Sequence, residues 1–380
     1  RGTTPLGSFE TDRAYLTNVH MGSGRNAAPY WEAQLDVPGW WLNRPFWTAS
    51  LALPRTGFSL LYRVVGVRGF GPQVVTTPIG NLTFHANPHR AEFPQVTGLL
   101  QVMASEGEQR VEAWIGDCEA LIRRVLDIVG LVLGHRVSWC LRELGQFDEG
   151  QSAAEFTSPG PIGVARDGLW SHLDLQRWVD LGAHAYTPEL EEERGLGLAI
   201  GYLLADGPYA ETRHVLAATA LEVLIGAYER STTGESTLLP KSVYETEILP
   251  GLLAAVDAVP VPPAASPTMA RALQIYRNKL QGLNSLPLEQ RLYRMLDDYS
   301  VPYTGLESEI KAGLRARNDV AHRGVGRPDV DLLRHTAVLR EVALRTILTL
   351  LGYAGRYYSH VNGEEERAFP PTGATSIRTA

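Results

Sequence analysis

Hydrophobic and polar residues alternate along the first hundred positions, whereas apolar residues recur at three- and four-residue intervals through the second half of the chain. The first period is typical of a strand with one buried face, and the second of an amphipathic helix. Punctuated by Gly, Pro and Asn, the alternating pattern predicts strands at 30–37, 47–53, 57–67, 73–77 and 80–85. We therefore expect an α+β protein in which the strands come first.

The middle of the chain mixes both patterns, and the remainder is helical. The middle is predicted to hold a helix at 107–134, a strand at 136–141, a Ser-, Gly- and Pro-rich loop at 146–168 and a helix at 171–181. Thr187 then suits an N-cap and Pro188 the first position of a helix that runs to about 205. Further helices are predicted at 211–230, 241–258, 267–283, 287–299, 306–321 and 329–358.

These elements divide the chain into four parts. We expect a β-rich, sandwich-like domain at 1–105 and a connecting region of mixed structure at 106–185. An all-α helical bundle is expected at 186–360 and a disordered polar tail at 361–380.

Composition narrows the class of protein. Hydrophobic residues make up 44% of the chain and charged residues 20%, as in an ordinary globular protein. There is no apolar run of membrane-spanning length and no signal-peptide pattern, and the two cysteines, Cys118 and Cys140, are expected to stay reduced. We therefore expect a cytoplasmic protein with no membrane partner. The net charge of −7 argues against a general nucleic-acid coat.

The most compact group of chemically active residues lies near the C-terminal end, in the run Arg317-Asn318-Asp319-Val320-Ala321-His322-Arg323-Gly324. It closes a predicted helix that Gly324 would cap in the left-handed conformation. On a helix, Asn318 and His322 share a face, and the long side chain of Arg317 can lean toward them. An arginine, an amide and a histidine suit binding a phosphate and moving a proton.

A second predicted helix offers a partner for Arg317. Nearly every residue from Val215 to Tyr228 is apolar or small, which predicts a buried helix, and Glu222 lies in its middle. A buried carboxylate needs a cation or several hydrogen-bond donors, and Arg317 is the cation we favour. The alternatives are that Glu222 reaches the surface or pairs with another arginine.

These two features resemble the HEPN superfamily of helical-bundle proteins. The resemblance rests on Ala220-Leu221-Glu222 and, about a hundred residues later, on Arg317-Asn318-x-x-Ala321-His322-x-Gly324. It is greatest to the Apea-like branch, found in prokaryotic antiviral-defence proteins, in which a long strand-containing region precedes the helical domain. The resemblance implies a ribonuclease whose site forms between two copies of the chain, with a structured RNA such as a tRNA loop as substrate.

The residues themselves fit that chemistry. A base that deprotonates the 2′-hydroxyl lets it attack the neighbouring phosphorus, and histidine suits both this task and protonation of the leaving oxygen. Arg317 would stabilise the phosphorane and Asn318 would position it, with no metal and no cofactor. Because one chain supplies one histidine, base and acid together require a symmetric homodimer.

Local charge favours a phosphate-bearing partner. The segment 311–345 carries eight basic and four acidic residues, although the protein is acidic and 32 of its 35 basic residues are arginines. We expect an RNA contact from the four basic residues that flank the motif, Lys311, Arg315, Arg323 and Arg327. The alternative is an arginine-covered helix surface without a ligand, and Asp319 with Arg323 would then form a solvated ion pair.

Other interpretations remain open. The helices could form a catalytically silent HEPN-type module for dimerisation or sensing, in which His322 merely caps a helix. Alternatively, a sugar or base could stack on the N-terminal tryptophans Trp31, Trp40, Trp41 and Trp47, although a packed core explains them equally. Because a free ribonuclease would harm its host, we expect a regulatory ligand or protein to act at this N-terminal domain.

Overall fold

The computed structural model describes residues 2–4, 7–10, 15–22, 30–36, 40–45, 58–67, 72–86, 98–104, 111–146, 151–156, 168, 175–205, 207–231, 237–260, 266–326 and 330–371. Side chains are described from Phe58 onward, other than those of residues 85–86, 111, 140–141, 145–146, 151–156 and 266.

The N-terminal part is built on an antiparallel sheet. Its strands are β1 (Gly2–Thr4), β2 (Gly7–Glu10), β3 (Tyr15–Gly22), β4 (Tyr30–Asp36), β5 (Trp40–Pro45), β6 (Phe58–Val65), β7 (Gln73–Thr77), β8 (Gly80–Ala86), β9 (Gly98–Ala104), β10 (Ser138–Gln146) and β11 (Gln151–Phe156). Nine of them form one sheet in the order β1-β2-β5-β11-β10-β6-β9-β8-β7, and β3 and β4 form a separate hairpin. The α+β class is confirmed to this extent.

The structure corrects part of the strand prediction. Strands predicted from alternation correspond to β4, β6, β7 and β8, whereas the one predicted at 47–53 lies outside the described residues. The segment 146–168, predicted as a loop, contains β11, which pairs with β10 on one side and β5 on the other. Three of the six residues of β11 are small, namely Ser152, Ala153 and Ala154, so its composition resembles a loop even though its backbone forms two ladders.

Helix α1 (Val111–Leu133) covers the sheet and links it to the helices that follow. Buried residues of β6, such as Leu60 and Tyr62, belong to one apolar core with Trp114 and Ile122 of α1. Further along α1, Ile128, Leu131 and Val132 join the core of the helical part instead. In the described residues the partner of this sheet is therefore a helix, where we expected a second sheet.

The C-terminal part is mostly helical. Its helices are α2 (Leu175–Asp180), α3 (Pro188–Glu192), α4 (Leu196–Leu204), α5 (Ala210–Ser231), α6 (Lys241–Val243), α7 (Leu249–Asp257), α8 (Ser266–Gln281), α9 (Leu288–Asp298), α10 (Glu307–Arg323) and α11 (Leu332–Leu350), with π-helical turns at Leu181–Ala185 and Tyr244–Ile248. One core joins residues of α4, α5, α9, α10 and α11. Within the described ranges, no helix has both the length and the apolar character needed to cross a membrane.

Local signals set the start of this part. Thr187 caps α3 as predicted, because its side chain accepts a hydrogen bond from the Leu190 N–H over 3.3 Å. The helix predicted to run on to about 205 is interrupted at Gly195, which has φ 70°. A Cβ at Gly195 would lie 3.1 Å from Val223 of α5, so the break allows α4 to approach α5 closely.

The end of the chain differs from the prediction. The last helix, predicted to reach 358, stops at Leu350, and Gly352 follows with φ 63°. A hairpin of β12 (Gly355–Ser359) and β13 (Glu365–Phe369) replaces the disordered tail expected from 361, as far as residue 371. Phe369 and Tyr357 are buried in the helical core, which holds the hairpin in place. Because the segment is polar overall, its sequence did not indicate that Phe369 and Tyr357 would be buried.

Candidate active site

Helix α10 carries the predicted motif and is fixed at its end. Gly324 has φ 76° and donates its N–H to the Val320 carbonyl over 2.8 Å, which makes it the left-handed cap that the sequence predicts. The buried side of the helix includes Ile310, Leu314 and Val320. Since these residues face inward, the polar residues between them are directed to the rim of the bundle and to solvent.

Gly313 brings α10 against α11. A Cβ at this position would lie 3.1 Å from both Cγ and Cδ2 of Leu339. The sequence suggested only a mild loss of helix propensity at Gly313. The short distance to Leu339 shows instead that α10 and α11 pack closely at this residue, and this packing helps to set the position of the motif helix.

Arg317 and Glu222 form the ion pair that the sequence predicts. A terminal guanidinium nitrogen of Arg317 lies 2.7 Å from Oε1 of Glu222 on α5. The approach is too far off line to count as a hydrogen bond, so the contact is mainly electrostatic. The pair holds the arginine of α10 against the middle of α5.

The burial expected for Glu222 is found only in part. Its side chain and that of Arg317 are each 31% exposed. The apolar composition of α5 concealed this, because the helix has one edge open to solvent although residues such as Leu221 and Ile225 are buried. Oε1 of Glu222, the oxygen that faces Arg317, is nevertheless buried, so the arginine offsets its desolvation. The rest of the arginine side chain remains reachable from solvent.

Asn318 and His322 lie at the solvent-facing side of the last two turns. Both residues are exposed. Nη1 of Arg317 donates to Oδ1 of Asn318 over 3.2 Å, so the arginine touches both Glu222 and Asn318. His322 follows Arg317 by five residues, which places it ~140° away around the helix. One helix therefore presents the arginine and the histidine on different sides.

The four predicted RNA-binding residues differ in their surroundings. Lys311 is paired, because its Nζ lies 3.3 Å from Oε1 of Glu289. Arg315 and Arg323 are exposed on α10. Arg327 lies outside the described residues. The structure thus places two of the four in solvent beside the motif.

A further arginine near the motif was missed by the sequence reasoning. Arg291 of α9 binds Glu229 of α5 with two hydrogen bonds, each of 2.5 Å. That bond to Glu229 is the main reason why the pKa of Arg291 is raised above its ordinary value. Glu222 and Glu229 are seven residues apart and share one face of α5, so this heptad spacing was the available signal. The two acids align two arginines from two helices along one edge.

Several predicted residues cannot be placed. The side chains of Trp31, Trp40 and Trp41, and the whole of Trp47, lie outside the described residues. Where side chains are described, no three His, Cys, Asp or Glu residues come together in a group able to hold a metal ion. Cys118 is buried and has a free thiol, and burial raises its pKa to about 12.

Comparison with known proteins leaves the site to be judged on its own geometry: no family model, curated protein or solved structure matches this chain.

Proposed function

We propose that this protein is a HEPN-like, metal-independent endoribonuclease that cuts single-stranded or loop RNA. The observation that carries the proposal is the arrangement on α10, where a part-exposed arginine is held next to an exposed amide and the same helix presents an exposed histidine on another side. Arg317 would bind the scissile phosphate, Asn318 would orient it, and His322 would transfer protons. The product would be a cyclic phosphate, formed by attack of the 2′-hydroxyl.

A second copy of the chain would complete the site. Because Arg317 and His322 face different sides of one helix, a two-fold axis beside α10 would bring one copy's histidine toward the other's arginine. Two histidines would then serve as base and acid. The exposed Arg315 and Arg323 would attract the RNA backbone in an otherwise acidic protein. Control by a ligand or protein at the N-terminal part, and a role in antiviral defence or as a toxin, belong to the same proposal.

One observation favours a second candidate function. Arg317 already interacts with Glu222 and Asn318, as it would in a silent module used for dimerisation or sensing. In that case the ion pair is purely structural, and the arginine does not bind RNA. Exposure of the Arg317 side chain argues for the ribonuclease, because a phosphate can reach the guanidinium from solvent.

Cleavage of total cellular RNA in the presence of chelator tests the proposal. Wild type should give discrete fragments with cyclic-phosphate ends, and His322→Ala should lower the rate by about 10²–10⁴-fold. His184→Ala is a matched control, since His184 is 44% exposed but contacts Asp180 and Thr76 far from the motif in sequence. Equal activity of His322→Ala and wild type would exclude this histidine as the catalytic residue.

A further inference from the structure

His214 is a fully buried histidine that ties three helices together. It lies in α5 with 0% exposure. Its Nε2 is 2.9 Å from the carbonyl oxygen of Gly313 on α10, and its Nδ1 is 3.0 Å from Oγ1 of Thr336 on α11. Both ring nitrogens therefore have partners, and the two partners belong to the helices that pack on α5.

The chemistry of the partners assigns the ring's hydrogen. A carbonyl oxygen only accepts, so Nε2–H donates to Gly313. Nδ1 lies 3.0 Å from the Thr336 hydroxyl, whose single hydrogen is donated to the Leu332 carbonyl over 2.6 Å. Burial lowers the pKa of His214, with a smaller effect from the charge of His335, so the neutral form is the one present near pH 7. The hydrogen bond to Gly313 is thus a fixed feature of the folded protein.

The Gly313 carbonyl has a second role inside α10. In an α-helix it is the acceptor for the backbone N–H of the residue four positions later, which is Arg317. Gly313 also packs against Leu339, where a Cβ would lie at 3.1 Å. One turn before the motif, α10 is therefore held on one side by His214 of α5 and on another by a close contact with α11.

We propose that His214 is a positioning residue for the motif. By binding the carbonyl that accepts from Arg317, it sets the rotation of α10 about its axis and so directs the arginine toward Glu222. Helix α5 then fixes α10 twice, with His214 at the backbone and with Glu222 at the side chain. The catalytic consequence rests on the proposed ribonuclease function, whereas the structural consequence does not.

Hydrogen exchange and RNA cleavage, measured on one set of variants of the full chain, test this proposal. His214→Leu removes the donor to Gly313, and His214→Gln keeps an amide donor near the position of Nε2. Leu203→Ala, a buried change in α4, is the control for general loss of stability. We expect His214→Leu to speed exchange of the amides of 313–323 by about tenfold and His214→Gln to restore protection.

In cleavage assays at saturating RNA, His214→Leu should lower kcat by about 10- to 100-fold with KM little changed, because the arginine is displaced rather than removed. His214→Gln should recover most of kcat, and Leu203→Ala should change neither kcat nor exchange in 313–323. Wild-type exchange in His214→Leu would overturn the proposal, as would an equal kcat loss in Leu203→Ala.

The two measurements distinguish failure of the proposed ribonuclease function from failure of the positioning role of His214. If wild type cuts no RNA, the proposed function fails, and exchange in 313–323 alone decides whether His214 positions the helix. If His214→Leu does not fold, His214→Asn replaces it, because its amide is one methylene shorter than that of glutamine and does not reach the Gly313 carbonyl. His214→Asn must then speed exchange of 313–323 while His214→Gln does not, and equal exchange in the two variants contradicts the proposal.

Discussion

Two arginine–glutamate pairs in the helical part use the same groups in different surroundings. On α11, the side chains of Glu341 and Arg345 are 2% and 9% exposed, and their closest nitrogen–oxygen contact is 2.8 Å. Between α5 and α10, Glu222 and Arg317 approach equally closely, at 2.7 Å, but each side chain is 31% exposed. Distance does not distinguish the pairs, whereas burial does.

The number of additional partners differs as well. Arg345 also donates to the Pro302 carbonyl over 2.8 Å, and the Tyr357 hydroxyl donates to Glu341 over 2.6 Å. The buried pair is therefore satisfied by a network that joins α11 to the loop before α10 and to β12. Arg317 has donors left over and faces solvent, as a group that binds a substrate phosphate must. The first pair holds the fold, and the proposed function assigns the second to chemistry.

The largest effect should follow from breaking the buried pair. Arg345→Ala leaves the Glu341 carboxylate buried without its cation, so we expect the free energy of unfolding to fall by about 3–5 kcal/mol. Thermal and denaturant melts measure this loss. Arg356→Ala is the control, because Arg356 pairs with Glu366 at 2.8 Å but is 73% exposed, and its loss should cost about 0–1 kcal/mol. Similar losses for both variants would contradict the role given to burial.

Gly313→Ala tests how closely α10, which carries Arg317, packs against α11, which carries the buried pair. The added methyl group would press on Leu339, so we expect a loss of about 1–3 kcal/mol, even though alanine favours helix. Gly226→Ala on α5 is the matched control: its nearest neighbour would be the flexible end of Arg230 at 3.5 Å, and it should gain stability by up to about 1 kcal/mol. A stabilising Gly313→Ala would refute the close packing.

Asp127 on α1 extends the comparison to a carboxylate whose burial is only partly offset by nearby arginines. Burial, and then the charge of Glu191, raise its pKa from 3.8 to about 7, while Arg123 and Arg136 act in the opposite direction. The folded state therefore holds this proton more tightly than the unfolded state. The resulting contribution to stability is complete below pH 3.8 and is lost as pH rises through about 7.

Melting temperatures of Asp127→Asn across this range measure that contribution. The variant should match wild type near pH 4 and melt about 4 °C higher at pH 8, because its side chain cannot ionise. Asp117→Asn, an exposed change on the same helix, should show no such rise. A difference from wild type that stays constant with pH would rule out titration of Asp127 as the cause.

The sequence predicts the local features well. The start of α3 at Thr187, the cap of α10 at Gly324 and the ion pair of Arg317 with Glu222 all follow from short-range rules or complementary charge. Each depends on a few neighbouring residues or on one pair of opposite charges. Such features survive folding because tertiary packing has no reason to oppose them.

Features set by long-range packing could not be predicted from the sequence pattern. The strand β11 depends on partners in β10 and β5, the C-terminal hairpin depends on Phe369 entering the core, and the exposure of Glu222 depends on which edge of α5 is left uncovered. Composition describes none of these neighbours. Gly313 is a clear case, since a residue that weakens a helix lies at a close contact between two helices.

The most direct test of the central claim is to measure cleavage rate and unfolding free energy together for Arg317→Ala. Because the Arg317 pair is part-exposed, we expect a stability loss below about 1 kcal/mol, together with a rate loss of at least about 10²-fold at equal folded concentration. Arg345→Ala, measured at a temperature below its melting range, should show the reverse. Its stability loss should be large, and its cleavage rate per folded molecule should change little. A stability loss for Arg317→Ala as large as that for Arg345→Ala, with cleavage per folded molecule unchanged, would show that the half-exposed pair is structural and would contradict the account.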